Sequence, residues 1–215
     1  MPDAVAALRH SPAADLIRSR RLIAILRRIE PQARLLELVA SLADDGVRVF
    51  EVTFDAPSAA DDLVAVRGRL ADLGRDHAIV GAGTIRTPEA IGQAADAGAG
   101  FVVGPTLDPA IVVDAVGRGL PVIPGAYSPT EIALAWDLGA TFVKLFPASS
   151  LGPAHVRELR GPFPDIELIA TGGIDAGSAR AFLEAGCVAV GVGSALVAAD
   201  TDHRRAIVAA TAAGP

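Results

Sequence analysis

The chain has 215 residues, 51% hydrophobic and 4% aromatic, enough to close one core in the size range of an α/β barrel. Nineteen basic against twenty-five acidic residues give a formal charge of -6, which offers no basic footprint and excludes nucleic acid as the expected partner. The lone cysteine, Cys187, excludes an internal disulfide framework and a cysteine-based zinc site.

The first twenty residues alternate charge with Ala and Leu, so no signal peptide is read, and they predict an extra helix ahead of the first strand. No window reaches membrane-span length without charges, so no membrane partner and a cytoplasmic location are expected. From there one pattern recurs: a helical segment ends in Gly and an apolar run rich in Val or Ile follows. It is seen at "ASLADDGVRVFEVT", "QAADAGAGFVVGP", "DAVGRGLPVIPGA", "AWDLGATFVKLFPA" and "FLEAGCVAVGVGSA". Gly46, Gly98, Gly119, Gly139 and Gly186 stand where a helix C-terminus favours a left-handed residue. The spacing predicts strands over 22–26, 47–54, 78–84, 101–105, 121–126, 142–146, 166–171 and 188–194. Helices are expected between them, at 89–97 and 109–117 for example. Thr87, Asp108 and Ser128 precede Pro at helix starts, and Ser128 with Glu131 has capping-box spacing. Eight strand–helix units without a linker read as one (β/α)8 TIM barrel over residues 1–215, with an open doubly wound sheet as the alternative. The tail "AIVAATAAGP" reads as a last helix that frays.

In a TIM barrel the chemistry sits where the strands end. Those ends carry Arg27, Glu51, Asp55, Thr84, Lys144, "ATGGI" with Gly172 and Gly173, and "GVGSA" with Gly193 and Ser194. Alternation puts Phe142, Lys144 and Phe146 on one face of their strand. Burial disfavours the ammonium, leaving a neutral amine able to attack a ketone. The competing reading is a lysine that snorkels from the mouth or pairs with a carboxylate. Glu51 shares a strand face with Val49 and Thr53; it is either a proton carrier beside Lys144 or a structural partner of Lys144 or Arg27. Arg27 can clamp a carboxylate or, with Arg28, form a solvated basic turn. Thr84 offers a hydroxyl beside two glycines. The two Gly turns form an anion cradle or simply tight turns. "GVGSAL" lacks the third glycine of a dinucleotide fingerprint, Cys187 reads as a small buried hydrophobe, and four scattered histidines give no metal-binding spacing.

Together "LIAILR", "GVRVFEVTF", "IVGAGT", "PVIPGAYSPTE", "KLFPAS", "LGP", "GPFPDIELIATGGI" and "VGVGSAL" resemble, in order and spacing over about residues 22–196, the KDPG/KHG aldolase family. These are class I aldolases acting on 2-keto-3-deoxy-6-phosphogluconate, its galactonate epimer or 4-hydroxy-2-oxoglutarate. The resemblance implies that Lys144 is the Schiff-base lysine and Glu51 the general acid/base. It implies that Arg27 and Thr84 contact the pyruvate end, and that Gly172, Gly173 and Ser194 line a phosphate site, which the strand-end reading extends to Gly193. It further implies a homotrimer without metal or other cofactor, whose partner is a phosphorylated keto acid. "LIAILR" and "SSLGP" look more like the galactonate-type branch. Two departures bear on the substrate: Asp55 stands where gluconate-type relatives carry Arg, and "VVGPT" replaces a more usual Ser-Pro. Asp55 caps the helix after Pro57 or reshapes polyol recognition. The expected function is a lyase releasing pyruvate and glyceraldehyde 3-phosphate. Two other classes use the same turns: a phosphosugar isomerase or decarboxylase barrel, and a non-catalytic phosphate-binding barrel.

Overall fold

The computed structural model describes residues 2–197 and 200–212. Two helices, α1 (Pro2–Arg9) and α2 (Pro12–Arg20), precede strand β1 (Leu22–Leu26). The expected single helix is thus in two pieces. Ser11 ends the first and caps the second, its Oγ accepting from the Ala14 N–H at 3.3 Å. Arg9 anchors α1: its guanidinium lies 3.4 Å over the Trp136 ring and donates to the Trp136 and Ala140 carbonyls.

Strand and helix then alternate: α3 (Gln32–Asp44), β2 (Val49–Thr53), α4 (Ala59–Asp72), β3 (Ile79–Gly83), α5 (Pro88–Asp96), β4 (Val102–Val103) and α6 (Pro109–Gly117). The next extended segment is split into β5 (Val122–Ile123) and β6 (Gly125–Ala126). After it come α7 (Pro129–Asp137), β7 (Val143–Leu145), α8 (Ala148–Leu159), β8 (Leu168–Thr171), α9 (Ala176–Glu184), β9 (Ala189–Val192), α10 (Ser194–Val197) and α11 (Thr201–Thr211). The last helix takes the tail as far as Thr211; residues 213–215 lie outside the described residues.

All strand pairs are parallel, in the order β5-β4-β3-β2-β1-β9-β8-β7-β6. Only Pro124 separates β5 from β6, so the sheet closes on itself through one continuous stretch of chain. Proline has no N–H to give to a ladder. Its neighbours switch partners there: Ile123 accepts from Gly104 N–H at 3.1 Å, and Pro124 itself accepts from Lys144 N–H at 2.9 Å. The eight expected strands are therefore present, the fifth broken by its proline, and the fold is an α/β TIM-like barrel.

The local signals hold. Thr87, Asp108 and Ser128 cap their helices, and Ser128 with Glu131 forms the reciprocal capping box. The five helix-ending glycines all have positive φ, from 73° to 115°. Two apolar clusters follow from strand alternation. Phe50, Val52, Val143 and Leu145 belong to the outer one, packed under the helices. Ile23, Val49, Phe101, Val103, Ile123, Phe142, Ile169 and Ala189 fill the barrel, and Ala14 and Ile17 of α2 close its floor. Burying each such aliphatic or aromatic side chain contributes about 1.5–3 kcal/mol. Cys187 is also buried, its thiol pushed up to about 12 by desolvation, as an inert packing residue. Among the described residues, no helix is long and apolar enough to cross a membrane.

Candidate active site

Parity decides which way the charged residues point. In β7, Phe142 belongs to the interior cluster while Val143 and Leu145 belong to the outer one, so Lys144 points inward. In β2, Val49 is interior and Phe50 and Val52 are outer, so Glu51 and Thr53 also point inward. Each inward polar residue is matched by a glycine on the next strand: Glu51 with Gly81, Thr53 with Gly83, Lys144 with Gly125, Thr171 with Gly191. Below these positions the barrel is filled by Ile, Val and Phe; here four polar residues each face a glycine. A methyl group on Gly83 would collide with the Glu51 carboxylate, so Gly83 is what lets that side chain lie across its strand.

Glu51 is 2% exposed and Lys144 5% exposed, yet no salt bridge within 4.0 Å joins them. Glu51 Oε1 is sealed from solvent without a hydrogen-bond partner. Burial is the main influence on both groups. It raises the Glu51 pKa against the opposing pull of Lys144 and Arg27. It lowers the Lys144 pKa; Glu51 opposes that shift and Arg27 adds to it. Both shifts favour the state with a free amine and a protonated carboxyl over the ion pair, although the two states hold the same number of protons. Lys144 and Arg27 thus act on Glu51 through space, with no ion pair in contact. The ring centroid of Phe146, itself partly exposed, lies 4.9 Å from Lys144 Nζ.

Arg27 reaches over the mouth from the end of β1, donating to Thr84 Oγ1 at 3.3 Å and to Asp55 Oδ2 at 3.1 Å. Arg28 Nε reaches the same Asp55 oxygen at 3.1 Å. Asp55 caps no helix, contrary to one expectation: α4 starts after Ser58, without a side-chain cap. Across the mouth, Gly172 and Gly173 have φ of 97° and 72°, a backbone that side chains rarely adopt. Gly193 leads directly into Ser194 at the start of α10. Ser149, which the strand-end survey passed over, belongs here: its N–H donates to Gly172 O at 3.1 Å, and its side chain fills the space a Cβ on Gly173 would need. Its one signal in the sequence was a small polar residue just beyond "KLFPA". Another signal was overlooked. Lys144 is the only lysine among the 215 residues, every other basic side chain of the Lys and Arg set being arginine.

Among the described residues, no group of three or more His, Cys, Asp or Glu side chains gathers to hold a metal ion.

The parallel barrel brings a desolvated amine, a desolvated carboxylate and an arginine together at one mouth. The chain belongs to the KDPG and KHG aldolase family, whose model matches residues 14–210. It is 34% identical over 185 residues to the 2-dehydro-3-deoxy-6-phosphogalactonate aldolase of Escherichia coli, covering 86% of this chain and 88% of that one. It is 38% identical over 160 residues to the 2-dehydro-3-deoxy-phosphogluconate aldolase of Pseudomonas aeruginosa, covering 74% and 70% respectively. The solved KDPG aldolase of Legionella pneumophila, with pyruvate captured as a covalent carbinolamine, superposes with a TM-score of 0.76 at 25% identity, covering 94% of this chain and 96% of that chain.

Proposed function

We propose that this barrel is a class I aldolase that cleaves a 2-keto-3-deoxy-6-phospho sugar acid to pyruvate and glyceraldehyde 3-phosphate, with 4-hydroxy-2-oxoglutarate as a secondary substrate. The observation that carries the reading is the pair of buried, unjoined groups Lys144 and Glu51 in one closed mouth. The neutral Lys144 amine adds to the C2 ketone. The carbinolamine hydroxyl takes a proton from Glu51 and leaves as water, giving an iminium. The Glu51 carboxylate then takes the proton of the C4 hydroxyl, and the C3–C4 bond breaks toward the iminium, giving an enamine and the free aldehyde. Protonation at C3 and hydrolysis release pyruvate and restore the amine. One water is lost in forming the iminium and one is taken up in its hydrolysis, so the steps balance. Support for the covalent step comes from the Legionella relative with its captured carbinolamine.

In the same reading Arg27 and Thr84 hold the substrate carboxylate. The Gly172–Gly173 and Gly193–Ser194 turns, joined by Ser149, hold the phosphate. The whole chain works as one domain in a homotrimer, for which exposed Val113, Tyr127 and Leu134 supply apolar surface. It works in the cytoplasm, because a phosphorylated acid does not cross a bilayer unaided.

A coupled pyruvate assay with the gluconate and galactonate phospho-acids and 4-hydroxy-2-oxoglutarate tests the reading. Phosphorylated acids should be cleaved best. Gly173→Val should raise KM for them and spare the unphosphorylated acid. No pyruvate from any of the three would overturn the assignment, and equal effects of Gly173→Val on all would remove the phosphate site.

A further inference from the structure

We propose that Asp55 is a positioning residue for substrate binding: by bridging Arg27 and Arg28 it sets the Arg27 guanidinium in the mouth where a keto-acid carboxylate docks. The proposal rests on the reading of Arg27 as the carboxylate holder. Both arginines are more than half exposed, at 54% and 63% of their side chains, whereas Asp55 is only 13% exposed. Long exposed arginines sample many rotamers unless tied down. Here one carboxylate ties down two of them, and Thr84 holds the other end of the Arg27 fork.

Both contacts fall on Asp55 Oδ2, while Oδ1 is sealed from solvent without a donor. Arg28 and Thr84 each adopt a left-handed backbone, with φ of 47° and 58°. Non-glycine residues rarely adopt this backbone, and it clusters at functional sites. The left-handed Arg28 places its Nε on Asp55 while most of its side chain stays in solvent, and the left-handed Thr84 carries the hydroxyl to which Arg27 donates. One buried carboxylate and two left-handed residues thus meet around one guanidinium. Fixing it before the substrate arrives removes the entropy loss that binding would otherwise carry.

The test reads the pyruvate concentration that gives half-maximal borohydride trapping, in the wild type and in the Asp55→Asn, Asp55→Ala, Arg27→Ala and Arg27→Ala/Asp55→Ala proteins. Methyl pyruvate, a ketone without the carboxylate, is the parallel probe. Asp55→Asn keeps the side-chain volume, so the test survives if Asp55→Ala folds poorly. Each Asp55 variant should raise the half-saturating pyruvate concentration about tenfold, the size of one lost charge-assisted contact, with trapping at saturation unchanged and methyl pyruvate unaffected. Adding Asp55→Ala to Arg27→Ala should change nothing more, since the residue acts through Arg27. A half-saturation that stays put or falls, or a shift shared with methyl pyruvate, would overturn the proposal. If Arg27→Ala itself leaves pyruvate binding unchanged, the carboxylate reading fails instead, whatever Asp55 does.

Discussion

The floor and the mouth of this barrel are built from the same strands, one alternation apart, and they follow opposite rules. At the floor, Ile23, Val49, Phe142 and Ile169 fill the interior and Ile17 seals it, with no charged side chain in the cluster. At the mouth, two residues further along β2 and β7, the inward positions hold Glu51 and Lys144 beside Gly81 and Gly125. One end keeps its inward positions apolar, although Arg21 at its edge also has a positive φ. The other leaves a carboxylate oxygen without a partner, an amine without a counter-ion in contact, and Arg28 and Thr84 in strained backbone. The difference separates what holds the barrel together from what it is for, so the two ends should respond differently to mutation.

The largest expected effect is at Lys144. Lys144→Met should reduce cleavage to background while the melting temperature holds or rises, because an apolar chain replaces a desolvated amine. Linkage sharpens this. The folded-state pKa of Lys144 is lowered, so between that value and the unfolded one the unfolded chain binds more protons and stability rises with pH. Thermal melts of Lys144→Met across alkaline pH should lose that contribution. A variant that melts far below the wild type would make Lys144 structural.

Next comes Glu51→Gln, which keeps the shape but cannot move a proton. Cleavage should fall by about 10²–10⁴-fold, with pyruvate still trapped on Lys144, more slowly. The raised Glu51 pKa means that the folded chain binds the extra proton above the usual carboxylate range, so its contribution to stability falls as pH rises through that window. Glu51→Gln should abolish this dependence and should not destabilise the protein at neutral pH. Near wild-type turnover in a destabilised protein would end the acid/base assignment.

The floor should behave in reverse. Ile17→Ala should cost about 2–5 kcal/mol of unfolding free energy in denaturant titrations, with kcat per folded molecule unchanged. A kcat loss matching the loss of stability would mean that the floor transmits to the mouth. Smallest is Ser11→Ala, which removes the cap of the plugging helix and should cost about 1 kcal/mol without any change in KM.

Much of this division was legible in the chain itself, because it rests on local rules. Alternation in "FVKLF" put Lys144 with Phe142, and in "VFEVT" put Glu51 with Val49. Five recurrent helix-ending glycines marked strand–helix units, and Ser128 with Glu131 marked a helix start. What was not legible depends on neighbours far along the chain. Asp55 meets Arg27 only because β1 and β2 pair with Ile25 beside Glu51; read locally, it looked like a helix cap. Ser149 earns its place from Gly173, on another strand's loop. Gly83 stood in the sequence only as a neighbour of Thr84; that the space it leaves is taken by Glu51 needed the folded strand. Pro124 was visible, yet its effect, a strand split between two partners at the seam of the barrel, needed the closed sheet to show.

The central claim is that the Lys144 amine forms the covalent intermediate, and this chain makes its test unusually clean because Lys144 is its only lysine. Incubation with pyruvate and borohydride, followed by peptide mass analysis, should add one reduced pyruvyl group per chain, on the peptide containing Lys144. The addition should be absent from Lys144→Met and absent without borohydride. An unmodified chain at saturating pyruvate, or a label confined to any other peptide, would contradict the account.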